Sequence, residues 1–265
     1  MSTFGGRMKE YDLISLDRFD GVNMQSSAYF LSHKHADHML GLSNSSFAYR
    51  LSSNKNIRLY CSPVTKALLS FDSRYSGLMP FIVALDLDVP NVLRINNPQS
   101  DKYEVTVTLL SAAHCPGSVM FLFEGNQGTV LYTGDFRLCV QDVMQMDALH
   151  QAPGKPKTLT SLYIDTTFCV PQALFIPSRQ ECVSAVLDIM QEWFDESPNH
   201  CVFILHKANL GYEHLFMEAC KHFGMPVHVD EARYNQYQQI ADLSDFVTND
   251  PTATRIHACR GHSVC

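Results

Sequence analysis

Four side chains able to bind a metal fall within six positions in Ser32-His33-Lys34-His35-Ala36-Asp37-His38. The apolar run 28–31 feeds into them, so the segment sits just after a strand. His33 and His35, two apart, point the same way while the backbone stays extended. Asp37 and His38 face a neighbouring point once the chain turns into a helix. The pattern therefore offers one pair of ligands to each of two cations. Imidazole with carboxylate suits Zn²⁺ or Mn²⁺, and the lack of cysteine in the run disfavours a closed structural site. A lone histidine is ordinarily solvated or hydrogen-bonded. Four such groups rarely gather in one turn without a shared cation to offset their desolvation.

Two later segments supply companions. Ser111-Ala112-Ala113-His114-Cys115-Pro116-Gly117-Ser118 follows a strand predicted at 105–110, and Leu131-Tyr132-Thr133-Gly134-Asp135-Phe136-Arg137 follows one at 129–132. Each places one ligand type, His114 or Asp135, in a loop at a strand end, and the two oxygens of Asp135 suit a bridge between cations. Asp17 also ends a strand. It is either a surface ion pair with Arg18 or a carboxylate that holds a ligand histidine through its other ring nitrogen.

The elements that must position these groups are β-favouring runs at 13–16, 28–32, 59–61, 105–110, 119–123 and 129–132. Gly125-Asn126-Gln127-Gly128 makes 119–132 a hairpin. The polar, Pro- and Lys-bearing stretch 151–160 is the best domain boundary. Beyond it, strands at 162–165, 201–205, 227–229 and 255–258 alternate with helices at 178–194, 211–223 and 236–243, which implies a largely parallel sheet. Ser178 and Glu181 form a capping-box pattern for the first of these helices, with Cys182, Ala185, Val186, Ile189 and Trp193 on one face.

Composition narrows the class. Of 265 residues, 46% are hydrophobic and 18% charged, which excludes a disordered chain. The length allows one large domain or two modest ones. No run of about 18 apolar residues predicts a membrane span, and the N-terminal residues lack the apolar core of a secretory signal. Nine scattered cysteines suit a reducing compartment, cytosol or nucleus. A net charge of −7 argues against non-specific nucleic-acid binding but leaves room for a local basic groove.

Taken in order, His33, His35, Asp37, His38, His114 and Asp135 resemble the metal motifs of the metallo-β-lactamase superfamily. HCPGSVMFLF, GTVLYTGDFR, YCSPVTKALL and YIDTTFC resemble its β-CASP nucleases of DNA repair, and LISLDRFDG, AYFLSH and DTTFC resemble the hairpin-opening members. The resemblance covers essentially the whole chain and is densest over 11–138 and 162–182. It implies an α/β fold: a metallo-β-lactamase αββα sandwich, incomplete at the C-terminus, with a partial α/β β-CASP region. The split falls after residue 155, giving units 1–155 and 156–265. By the same resemblance His33, His35 and His114 hold a first metal with Asp135 shared, and Asp37 and His38 hold a second. Asp17 supports the cluster, and Asp165 is a carboxylate near the metals rather than a turn or N-cap residue. A structural Zn²⁺ is implied at His228, His257 and Cys259, with Cys265 or His262 as the fourth ligand; the alternative is that these are ordinary core and surface residues.

The implied activity is that of a metal-dependent DNA endonuclease and 5′–3′ exonuclease using two divalent cations, Zn²⁺ or else Mg²⁺ or Mn²⁺. It would open hairpins and process ends in double-strand-break repair by non-homologous end joining and in V(D)J-type recombination, in the nucleus. Water would attack phosphorus in line and leave a 5′ phosphate. No Ser-His-Asp arrangement offers a covalent route, and Cys115 reads as loop packing. Lys34, Arg18, Arg137, Lys155, Lys157 and Lys207 are candidates for a basic groove. Phe19, Phe136 and Phe168 are candidates for base stacking. The chain ends soon after the 255–258 strand, so a truncated relative is expected, without the tail that binds DNA-dependent protein kinase and DNA ligase IV. Two other readings stand beside this one. The first is a non-catalytic relative that binds DNA or a partner. The second is a metallo-hydrolase acting on RNA or a small ester.

Overall fold

A computed structural model describes residues 3–96, 103–206 and 208–258. The chain divides into two compact units, Met1–Thr166 and Thr167–Cys265. The expected split after residue 155 falls inside the first of these. There β9 (His150–Ala152) and β10 (Lys155–Pro156) pair as a short hairpin, and β11 (Ser161–Tyr163) is still part of the first unit's sheet.

Besides that hairpin, the described residues of the unit form two larger sheets. In the first, β1 (Ile14–Leu16), β2 (Ala28–Phe30), β3 (Leu59–Cys61) and β4 (Ile82–Ala84) lie in sequence order and all parallel. The second has the order β11-β8-β7-β6-β5, with β5 (Asn91–Ile95), β6 (Tyr103–Ser111), β7 (Val119–Gly125) and β8 (Gly128–Tyr132) antiparallel and β11 parallel to β8. The β7–β8 hairpin turns at Gly125–Gly128, where Gly128 takes φ +126°, a conformation open to glycine but not to a side chain.

Alternating side chains explain the layers. From the first sheet Ile14, Leu16, Ala28 and Phe30 face Val107, Leu109, Phe121, Phe123 and Val130 of the second, all buried. The Phe30 ring lies 5.2 Å from both Phe121 and Phe123, edge-on to each. The opposite face of the first sheet, Tyr29, Leu31, Leu59 and Cys61, packs on α1 (Ser45–Ser52), α2 (Pro63–Ser70) and the 3-10 helix Ser73–Phe81 through Phe47, Leu51, Leu69, Tyr75 and Leu78. The outer face of the second sheet, including Leu122 and Leu131, is covered by Leu138, Met146, Leu149 and Leu159 around the short α3 (Val140–Met144). Two facing sheets with helices outside are the αββα layering implied by the resemblance.

The second unit carries a parallel sheet, order β12-β15-β13-β14, from β12 (Val202–Phe203), β13 (Val227–His228), β14 (Val247–Thr248) and β15 (Ile256–His257). Its long helix α4 (Arg179–Glu196) starts in the expected Ser178/Glu181 capping box. The buried stripe is not the one expected: it is Val183, Met190 and Phe194, while Ile189 and Trp193 are exposed. Both stripes obey helical spacing, and only tertiary packing chooses between them. α5 (Glu213–Phe223) ends at Gly224 in the left-handed region. The helix expected at 236–243 is instead two, α6 (Glu231–Tyr237) and α7 (Ala241–Ser244). Asp230 caps α6 early by accepting from Arg233 N, and Ile240 is extended between them. No helix among the described residues is long and apolar enough to cross a membrane.

Phe30 joins the two sheets, so Phe30→Ala should lower the unfolding free energy by about 3–5 kcal/mol. Val140→Ala, at an exposed position, should stay within about 0.5 kcal/mol of the parent. Urea titrations of the metal-free chain check both.

Candidate metal centre

Loops leaving the C-terminal ends of β1, β2, β6 and β8 meet at one rim of the sandwich. His33, His35, His114 and Asp135 each bring a ligand atom to within 4.8 Å of the others. His35 Nδ1 lies 3.1 Å from His33 Nε2 and 3.2 Å from His114 Nε2. Asp135 Oδ2 lies 3.9 Å from His33 Nε2 and 3.6 Å from His114 Nε2. Ligands ~2.0–2.1 Å from one tetrahedral zinc stand about 3.3–3.4 Å apart, so this group has the spacing to hold a divalent cation. Asp135 turns its other oxygen, Oδ1, toward His38 Nε2 at 3.1 Å, and Asp37 Oδ2 lies 3.9 Å from the same nitrogen.

The buried carboxylate of Asp17 orients the histidines. Its Oδ2 accepts from Ser32 Oγ at 2.6 Å, His38 Nδ1 at 2.8 Å and Tyr132 Oη at 2.9 Å, and its Oδ1 accepts from Ser32 N at 2.7 Å. With Nδ1 donating to Asp17, neutral His38 keeps a bare lone pair on Nε2. That nitrogen is buried and, among the described residues, has no hydrogen-bond partner in good geometry. A buried ring nitrogen 3.1 Å from a carboxylate fits a cation between the two, a proton in the metal-free chain or a metal ion in its place. Ser32 Oγ spends its hydrogen on Asp17, so toward His33 Nδ1, 2.9 Å away, it accepts. His33 Nε2 is then left as the ligand atom. Asp17 takes φ +54°, in the left-handed region that few non-glycine residues occupy.

Electrostatics follow from this packing. Burial, helped by the nearby His38, His35 and His114, pushes the His33 pKa well below its ordinary value, which keeps the ring in its neutral, ligating form. Burial would also lower His38, but Asp135 and Asp17 outweigh it and raise His38 to about 10. Burial would raise Asp135, and the surrounding imidazoles, His38 foremost, hold it down instead. Burial and the adjacent Asp17 push Tyr132 upward, so it remains a phenol donor.

The His114 loop is shaped by Ser118, whose Oγ accepts from His114 N and Cys115 N at 3.0 and 3.1 Å, and by Ala113 at φ +50°. Asp165 follows β11, with its backbone N donating to Thr133 Oγ1 at 3.1 Å, on the strand end beside Asp135. In the second unit His228 and His257 are register neighbours on β13 and β15, buried, with their Nδ1 atoms 3.2 Å apart. Cys259, His262, Cys265 and Lys207 lie outside the described residues.

Several expected groove residues have other work. Lys34 Nζ donates to Leu68 O, Arg18 pairs with Asp20 and Lys157 pairs with Glu124. Phe19 is fully buried in the first unit's core and cannot stack on a base, Phe136 packs beside the outer face of the second sheet, and Phe168 is exposed. Sequence reasoning missed Ser32 and Tyr132. Ser32 was detectable as a hydroxyl beside the first ligand, whereas nothing local marks Tyr132, whose partner is far away in the chain.

Two outcomes follow. Asp17→Asn should weaken cation binding by about 10–100-fold, read by calorimetric titration with Zn²⁺. In the metal-free chain His38 rises from ~6.5 unfolded to about 10 folded. Its contribution to stability is therefore complete below ~6.5 and lost as the pH climbs through about 10. Thermal melts of chelator-treated protein should show that fall, and Asp17→Asn should flatten it.

Comparison with known proteins agrees with the geometry. The chain is 47% identical over 261 residues, 98% of its length, to protein artemis of Rattus norvegicus and 45% identical to that of Homo sapiens, covering 37% of each. It is 37% identical over 237 residues to 5′ exonuclease Apollo of Rattus norvegicus, covering 89% of this chain and 39% of that protein. The chain thus spans well under half the length of the curated relatives it matches. A protein of unknown function from Enterococcus faecalis V583 shares the fold, with a TM-score of 0.54 at 14% identity over 89% of this chain and 58% of that one. The resemblance read from the motifs is borne out by these relatives, protein artemis and a 5′ exonuclease. The family model described as anti-Pycsar protein Apyc1 matches residues 14–152, a stretch that holds both sheets' ligand loops. Because that match takes in more than half of the chain, the chain belongs to this family, which is of the metallo-β-lactamase type.

Proposed function

We propose that the chain is a metal-dependent DNA nuclease that hydrolyses phosphodiesters. The two-sided approach to Asp135 carries this reading. His33, His35 and His114 with Asp135 Oδ2 would hold one divalent cation, and His38 and Asp37 with Asp135 Oδ1 the other. A pair of Zn²⁺, Mn²⁺ or Mg²⁺ ions would lower the pKa of a nucleophilic water and neutralise a phosphate oxygen. The chain's own part is positional. Asp17 fixes the His38 tautomer, Ser32 fixes that of His33, and Asp165 adds a carboxylate on the loop beside Asp135.

The finer reading rests on the likeness of LISLDRFDG and DTTFC to Artemis, and on the 5′ exonuclease among the relatives. It comprises hairpin opening and end processing in non-homologous end joining and V(D)J-type recombination, in the nucleus. DNA-dependent protein kinase and DNA ligase IV are the partners expected of a longer relative. The first unit is read as the metallo-β-lactamase domain and the second as a β-CASP region. His228 and His257, with Cys259 and Cys265, are read as a structural zinc site.

With Mn²⁺ or Zn²⁺ the chain should cut hairpin and overhang DNA, and His35→Ala or Asp135→Ala should reduce cutting to background. Equal cleavage by those variants would assign the activity to a contaminant, and equal cleavage of matched RNA would overturn the choice of DNA. Gel assays on labelled substrates read both.

A further inference from the structure

Helix α2 touches both loops that carry the histidines of the first cluster, one at each end. At its N-terminus Ser62 caps the helix by accepting from Thr65 N at 3.1 Å, and donates its own hydrogen to Gly117 O at 2.7 Å. Thr65 Oγ1 donates to the same carbonyl at 3.0 Å. Gly117 lies so close that an added Cβ would meet Thr65 N at 2.8 Å, and its φ of +79° independently favours glycine. Gly117 precedes Ser118, the residue whose hydroxyl holds the backbone at His114. At the other end Lys34, between His33 and His35, reaches away from the ligands and donates its ammonium to Leu68 O at 2.7 Å. Leu68 is in the last turn of the helix, where carbonyls lack intrahelical partners and the helix dipole favours a cation. Apart from α2, Val119 N links the two loops directly by donating to Ser32 O at 3.0 Å.

We propose that α2 is a strut that sets the spacing of His33 and His35 from His114, with Lys34 and Thr65 as positioning residues at its two ends. Eight helical residues give it a fixed length of ~12 Å. The main-chain link at Val119 fixes one point between the loops but leaves them free to pivot. The tethers at the ends of α2 remove that pivot and hold the three imidazole nitrogens at ligand spacing. Lys34 therefore acts through its neighbours without touching a substrate. This inference rests on the reading of the histidine cluster as a cation site.

The test uses the whole chain with Co²⁺ as the probe, reading its dissociation constant and visible absorption. Lys34→Met should weaken Co²⁺ binding about 10-fold and alter the band shape, while the melting temperature of the metal-free chain stays near the parent's. Lys34→Arg, which keeps a cationic donor, should recover most of the affinity. Thr65→Val should weaken binding in the same way. The double variant should lose less than the product of the single losses, because a strut cut at one end no longer transmits from the other. Lys66→Met is the control. Lys66 lies on the same helix but donates to Ile82 O in β4, away from both loops, so its loss should leave Co²⁺ affinity unchanged. Parent affinity in Lys34→Met and in Thr65→Val, or a loss in Lys66→Met equal to theirs, overturns the strut. Should Lys34→Met fail to fold, Thr65→Val against Lys66→Met decides alone. A parent chain that takes up no Co²⁺ overturns the cation site itself, and the strut with it.

Discussion

A single buried carboxylate organises the rim of the sandwich. Asp17 is taken out of water and compensated by four donors from two separate stretches of chain: Ser32 twice and His38 from one, and Tyr132 from the other. An ionised group in such a place is tolerated only when it is fully hydrogen-bonded. Each of these bonds therefore also fixes the position of its donor. The end of β1 supplies the acceptor, the segment after β2 supplies three donors, and β8 supplies the fourth, so the same carboxylate ties the first sheet to the second. The histidines inherit their tautomers from this network.

Above it stands a second layer of constraint. The core between the sheets is aromatic, with Phe30 seated against Phe121 and Phe123, and interiors of this kind resist sliding because their side chains interlock. Ligand spacing at the rim is thus controlled at a distance by packing beneath it. The N-terminal segment adds to this: Phe4 packs on Tyr132 and Tyr163, and Glu10 accepts from Tyr163 and Ser161.

Legibility of the sequence varied with the range of the interaction. The strand at 59–61 and the hairpin at 119–132 could be read because apolar runs and turn glycines sit side by side. The parallel sheet of the second unit could be read from strand–helix alternation, and the ligand run because its four groups are adjacent. Strands β4 and β5 and helices α1 and α2 were not read. Their signals are short, and β5 carries Asn91 and Arg94 on an edge. The buried stripe of α4 was misread because two apolar faces compete on one helix. The convergence of Asp17, Ser32 and Tyr132 leaves no local trace, since each belongs to a different strand end.

The ligand loops are also ordered along the chain. His33 and His35 leave an early strand, His114 comes after a long interval, and Asp135 emerges only once the β7–β8 hairpin has been made. Closing so distant a ring demands that the intervening loops be paid for in entropy first. A cation cannot seed this fold in the way it seeds a zinc finger. Any cation held there would be bound only after the second sheet has docked, when its last carboxylate comes into place.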